Sequence, residues 1–190
     1  MGLFMAEGDL VARFTRRLRL FDANADDVVR RRDVVAVAER LVRGFRLDPR
    51  SIGAERVRTA YEVLSLVLVS DFGDAARDEV TGTGFATALT AALAADPRRT
   101  AELGARIARA DALAVRECLA RIGAQVKAEQ VAEVVVALGA HPGDLPVIQQ
   151  ALERDGALLP LASAERVFAD YFTGSGDPRL YGRLQQADRP

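Results

Sequence analysis

Residues 22–33 read Asp22-Ala-Asn-Ala-Asp-Asp-Val-Val-Arg-Arg-Arg-Asp33. Counted from Asp22, oxygen-bearing side chains stand at positions 1, 3, 5 and 12 (Asp22, Asn24, Asp26 and Asp33), with aliphatic Val29 at position 8. That is the ligand spacing of a helix–loop–helix calcium site. Calcium is a hard cation that takes six to eight oxygens, and a twelve-residue loop wraps them around it. Leu18 and Phe21 before the loop, and Val34 after it, stand where paired sites of this kind bury their flanking apolar residues. A blander use exists for the same residues: Asp and Asn form turns without any metal and cap the helix that follows.

On either side of this stretch the periodicity is helical. Leu10, Val11, Phe14, Leu18 and Phe21 recur at spacings of three and four, which places them on one stripe of a helix. Val34 to Phe45, Tyr61 to Phe72 and Phe85 to Leu93 repeat the pattern. So do Leu103 to Leu119, Val131 to Leu138, Val147 to Ala151 and Val167 to Phe172. Asp48-Pro49, Asp96-Pro97 and Pro142-Gly143 punctuate the chain between them, and Asp177-Pro178 opens a tail. No strand-length alternation competes, apart from short apolar pieces such as Leu158-Leu159, so the fold is predicted to be all-α with about eight helices.

The other breaks fall into the same frame. With Val80, Val126 and Leu159 taken as the residues at position 8, the loops begin at Gly73, Leu119 and Leu152. Position 13 is then Phe85, Val131 and Ala164, and the residues before loops three and four become Val115 with Cys118 and Ile148 with Ala151. Four helix–loop–helix units therefore repeat in register. They are expected to form two packed pairs in one compact unit, residues 1–95 and residues 96–190 with the C-terminal tail. At 190 residues the chain suits one domain or two tightly packed halves.

In this arrangement the chain resembles the sarcoplasmic and calerythrin-like calcium-binding proteins, a four-EF-hand family also found in actinobacteria. The resemblance runs over residues 8–184. It rests on Phe14-Thr-Arg-Arg-Leu-Arg-Leu-Phe-Asp22 leading into loop one, the spacing from Val126 to Leu159, the Ala137-Leu-Gly139 helix exit, and Phe168 to Pro178 with the Tyr181-Gly-Arg-Leu184 tail. It implies calcium ligands at Asp22, Asn24, Asp26, the backbone carbonyl of Val28, and Asp33. Departures from the motif predict weak binding. Position 9 is Arg30, which offers no oxygen; position 6 is Asp27 where a positive φ favours Gly; position 12 is Asp33, a methylene shorter than Glu. Arg30, Arg31 and Arg32 also bring positive charge to the cation. A Kd nearer about 10⁻⁴ M than 10⁻⁷ M is expected, with Mg²⁺ as a competitor.

The remaining loops lack the chemistry. Positions 1, 3, 5 and 12 are Gly73, Ala75, Arg77 and Gly84 in loop two, and Leu119, Arg121, Gly123 and Gln130 in loop three. In loop four they are Leu152, Arg154, Gly156 and Ser163. Three such loops leave little metal energy for an opening transition, which argues against a reversible sensor. A binding protein with one divalent site is the first reading. The alternative is a carrier or biosynthetic enzyme with an apolar cavity between the halves of a decayed EF-hand scaffold. Relatives of this fold include coelenterazine-binding proteins, so the resemblance makes a hydrophobic small molecule a candidate partner.

Composition narrows the classes further. With 26 basic and 27 acidic residues, the chain has no general charge to draw nucleic acid or an anionic membrane, and neither is expected as a partner. The single Cys118 excludes an internal disulfide and a multi-cysteine zinc site, and the single His141 excludes a multi-histidine centre. No apolar run approaches the roughly 18 residues of a membrane span, and the N-terminus lacks the pattern of a secretory signal, so a cytoplasmic location is expected. His141 is assigned to a surface turn and Cys118 to the core. Tyr61, Tyr171 and Tyr181 are assigned to structural hydrogen bonds, with a general-acid role as the alternative for any of them. Arg16, Arg17 and Arg19 are read as a solvated helix face. Thr81-Gly-Thr-Gly84 lacks the Lys and preceding strand of a phosphate loop.

Overall fold

The structure, a computed structural model, describes residues 7–153 and 158–183. Among these residues eight α-helices occur, joined by four very short strands: α1 (Glu7–Arg19), β1 (Val28–Arg30), α2 (Arg31–Gly44), α3 (Ile52–Phe72), β2 (Glu79–Thr81), α4 (Gly82–Ala95), α5 (Pro97–Leu119), β3 (Gln125–Lys127), α6 (Ala128–Ala137), α7 (Leu145–Glu153), β4 (Leu158–Pro160) and α8 (Ala164–Thr173). Three helix starts are capped by the side chain before them. Ser51 Oγ accepts the N–H of Ala54 at α3, Thr81 Oγ1 that of Gly84 at α4, and Asp96 Oδ1 that of Arg98 at α5, where Pro97 takes the first helical position. Gly174 stops α8 in the left-handed conformation, at φ 85°.

The strands are three residues each, too short to leave an alternation in the sequence, yet they tie the loops together. β1 pairs antiparallel with β2, with Val29 opposite Val80; β3 pairs with β4, with Val126 opposite Leu159. All four position-8 residues are buried, as are Phe85 and Val131 after their loops. The fold is thus all-α with four helix–loop–helix units coupled in two pairs. Two of loop four's positions, Arg154 and Gly156, and Leu184 of the tail lie outside the described residues.

α5 is the spine, packing along α8, α3 and α4; α1 lies against α4 and α8, and α2 joins α3 to α6. Gly139 is the point where the α6 exit meets α1. Its φ is 124°, and a Cβ there would stand 2.1 Å from the Leu20 carbonyl oxygen, so only glycine fits. The aromatic residues gather under the tail: Phe14 lies 4.8 Å from Phe172, and Tyr171 4.8 Å from Tyr181, ring centre to ring centre.

One expectation is overturned here. Arg16 and Arg17 do not form a solvated face: Arg17 is 0% exposed and Arg16 5%. Arg17 makes a bidentate pair with Asp111 of α5, Nε to Oδ2 at 2.8 Å and Nη2 to Oδ1 at 2.6 Å. Tyr61 of α3 donates its hydroxyl to Asp111 Oδ1 at 2.8 Å, and Tyr181 of the tail donates to Oδ2. Burial would remove the Arg17 charge, but the Asp111 charge and hydrogen bonds outweigh it and raise the guanidinium pKa further. Arg16 is buried because it donates to the carbonyls of Pro178, Gly182 and Arg183, and Arg13 donates to those of Tyr171 and Gly176. One face of α1 therefore binds the tail down.

Candidate metal centre

Loop one is shaped by hydrogen bonds that its acidic side chains accept. Asp22 accepts the backbone N–H of Asp26 at Oδ1, 3.2 Å, and that of Asp27 at Oδ2, 2.9 Å. Asp26 Oδ1 accepts the N–H of Val28 at 2.9 Å, and Asn24 donates to Asp26 Oδ2 at 3.0 Å. Asp33, at the first turn of α2, accepts the N–H of Arg30 at 2.8 Å. Asp27 takes φ 59°, the left-handed conformation that position 6 demands, and Ala25 takes φ 55°. The residues the sequence places in a ligand set thus lie in one loop, with Asp22, Asn24 and Asp26 in a single hydrogen-bonded chain. Among the described residues, no group of three or more His, Cys, Asp or Glu side chains converges as it would on a metal.

The Val28 carbonyl is placed by the strand pairing. Gly82 donates its N–H to the Asp27 carbonyl, and Arg31 to that of Asp78, so the opposed pairs 27/82 and 31/78 are the bonded ones. Bonded and non-bonded pairs alternate in an antiparallel ladder, which leaves Val28 opposite Thr81 with its N–H and C=O facing away from β2. Both therefore point to the side on which the N–H meets Asp26. Loop two also makes room for Asp27: a Cβ on Gly82 would lie 2.3 Å from Asp27 Oδ1.

Arg30 at position 9 turns inward on this set. Its Nη1 lies 3.1 Å from Asp26 Oδ2, and its Nε 3.9 Å from Glu79. The Arg30 contact, with the bonds from Asn24 and Val28, lowers the Asp26 pKa, and the same contact raises that of Arg30. A cationic side chain thus sits on a carboxylate that a divalent ion would need. Arg31 turns outward to Glu62 at 3.1 Å, whereas the exposed Arg32 lies 3.9 Å from Asp33, another residue of the set.

The companion loops keep the geometry without the ligands. Asp78, at position 6 of loop two, also takes a left-handed φ, 55°. Gln130, at position 12 of loop three, accepts the Lys127 N–H at 2.9 Å, just as Asp33 accepts that of Arg30. Position 12 therefore serves as a helix cap in both loops, whether or not it can hold a metal.

An open, mixed-charge cleft of about 520 Å³ runs along loop one, between the end of α1, the turn at Gly139–Asp144 and the tail. His141 sits on its rim, exposed, with Nδ1 accepting the Gly143 N–H at 3.1 Å. Cys118 is buried in the core, and burial pushes its thiol up to about 12, which leaves no nucleophile there at neutral pH. Tyr61 and Tyr181 are both held well above the usual phenol range, by burial and by the Asp111 charge, so neither is a ready acid. The buried Arg17–Asp111 pair is what the sequence reading missed. A signal was present: Arg17 falls three residues after Phe14 and four before Phe21, and Asp111 falls four after Ile107 and four before Val115, each on an apolar stripe. Among the described residues no helix is long and apolar enough to cross a membrane.

No protein-family model matches the chain, and no curated protein matches it. Among solved structures it is similar to a calcium-binding protein of Streptomyces coelicolor, solved as the structural basis for prokaryotic calcium-mediated regulation. The TM-score is 0.64 and the sequence identity 20%, and the match covers 86% of this chain and 98% of that one. At that identity the likeness shows the fold.

Proposed function

We propose that this protein binds one divalent cation, calcium, through loop one, on a scaffold whose other three loops hold no metal. The observation that carries this is the placement of Asp22, Asn24, Asp26, the Val28 carbonyl and Asp33 in a twelve-residue loop whose left-handed turn is already formed. The similarity of the whole fold to a calcium-binding protein supports it. Binding is weak. Arg30 must leave Asp26, Asp33 must share an oxygen that now caps α2, and no acid stands at position 9. Mg²⁺ competes because it is content with few carboxylates and keeps several waters. With one site and two firmly bound pairs of loops, the protein acts as a structural module or a low-affinity buffer.

The alternative of an apolar ligand finds less support. The void lined by Val115, Val126, Leu152, Leu159 and Phe168 has a volume of about 10 Å³, room for one water. Small-molecule pockets run to roughly 300–1,000 Å³. The cleft of that size along loop one carries Arg16, Arg19, Asp22, Asp27, Asp144 and Arg183 in its lining, which does not suit an apolar ligand.

Thermal melts in chelator and in 10 mM calcium test the proposal. A Kd of about 10⁻⁴ M gives about 2.7 kcal/mol at saturation, a rise of roughly 8 °C for a chain of this size. Asp22→Ala should abolish the rise. An unchanged melting temperature in the wild type at 10 mM calcium would remove calcium binding from the account.

A further inference from the structure

Two helix faces of this chain complement one another. On α5, Arg109, Leu113 and Arg116 stand at spacings of four and three, on one side of the helix. With Leu161 and Ala162, just before α8, they line a single surface groove of about 280 Å³. Arg109 has Glu165 at 3.6 Å, but the two side chains are 67% and 62% exposed, so the pair is weak and readily exchanged. Arg116 makes no ion pair among the described residues, nor does Arg106, exposed one turn earlier on the same stripe. Seven residues along a helix span about 10 Å at about 1.5 Å each, so Arg109 and Arg116 suit two carboxylates set apart better than one small anion.

The outer face of α3 carries the reverse pattern. Val63 and Leu66 are each 46% exposed and Ile52 68%, three of the five large apolar side chains left in water among the described residues. Glu55 and Glu62 are exposed on the same side, at the same separation of seven residues. Glu55 makes no ion pair among the described residues, and Glu62 has the exposed contact with Arg31 at 3.1 Å. Laid along the groove, such a face sets two carboxylates against two guanidinium groups at matched spacing, while Val63 and Leu66 leave water against Leu113 and Leu161. We propose that the groove between α5 and α8 takes a second copy of this chain, by the outer face of its α3. Glu62 reaches Arg31 of α2 and the groove borders α8, so one copy offers both surfaces at once and successive copies join head to tail. With 26 basic and 27 acidic residues the copies do not repel as wholes, so local complementarity decides the contact.

Sedimentation velocity tests this in excess chelator, which keeps divalent cations off loop one, so the result does not depend on the calcium proposal. In low salt the full chain should pass from monomer to larger species between about 10 μM and about 500 μM. Raising the salt from about 0.05 M to about 0.5 M should weaken the association by roughly tenfold or more. Two variants read the surfaces separately: Glu55→Arg with Glu62→Arg reverses the α3 face, and Arg109→Glu with Arg116→Glu reverses the groove. All four side chains are exposed, so both variants should keep the circular dichroism of the wild type. Each alone should stay monomeric over the same range, because its like charges then face each other. An equimolar mixture should associate again, since every face then meets a groove of opposite charge. A wild type that remains monomeric to about 500 μM would overturn the proposal. So would association that persists in either variant alone, or a mixture that stays monomeric, since both place any self-contact on other surfaces.

Discussion

Replacing Asp111 by Ala is the sharpest probe of what holds α1, α3, α5 and the tail together. The carboxylate and Arg17 are both 0% exposed, and the pair is bidentate at 2.6 and 2.8 Å. The variant leaves a fully buried guanidinium without its countercharge, and two buried phenols without an acceptor. Removing one partner of a buried ion pair typically costs about 3–5 kcal/mol. For a chain of this length that is a fall of roughly 10–15 °C in melting temperature. Urea unfolding followed by far-ultraviolet circular dichroism measures it, with an unchanged m value showing that the denatured state is comparable. Tyr181→Phe removes one hydrogen bond to a charged group and should cost about 2 kcal/mol. The double variant Arg17→Met with Asp111→Leu should recover the part of the loss that comes from the unbalanced charge, because an apolar pair of similar volume needs no countercharge, while the Tyr61 and Tyr181 hydroxyls stay without an acceptor. A loss of less than about 1 kcal/mol in Asp111→Ala would refute the reasoning, since a buried charge cannot be left unbalanced so cheaply.

Two further outcomes follow from the geometry. Arg30→Ser removes the cation from Asp26 and places an oxygen at position 9, so calcium affinity by titration calorimetry should rise by roughly tenfold; unchanged affinity would mean that Arg30 does not compete for the site. Burial holds the Cys118 thiol protonated up to about 12 in the folded chain, whereas the unfolded thiol ionises near about 8.5. Between those values the unfolded chain binds fewer protons, so the stability contributed by this thiol is present below about pH 8.5 and declines as pH rises through the window. Native protein at pH 8 should therefore resist Ellman's reagent while protein in denaturant reacts at once, and rapid labelling of the native form would contradict the buried position.

The sequence alone determined the all-α class, the order of the eight helices among the described residues and the register of the four loops. It did not determine the helix ends: α3 starts at Ile52, nine residues before the Tyr61 that marks its apolar stripe. The spacing of Leu18, Phe21, Val29 and Val34 recurs at Val115, Cys118, Val126 and Val131, and the structure pairs Val29 with Val80 and Val126 with Leu159. Such features are legible because helical periodicity and a twelve-residue loop are local: the residues that set them lie within a few turns of one another. The strands left no alternation because three residues are too few, and only Leu158-Leu159 of β4 stood out as a short apolar piece. Tertiary structure alone decided the fate of the charges. Arg16, Arg17 and Arg19 look alike along the chain, yet Arg17 is buried, Arg16 serves the tail carbonyls and Arg19 faces outward. The difference lies in partners far away in sequence, Asp111 at a separation of 94 and Gly182 at 166. Whether a guanidinium can leave water depends on a countercharge being there to meet it, and only the folded chain brings the two together.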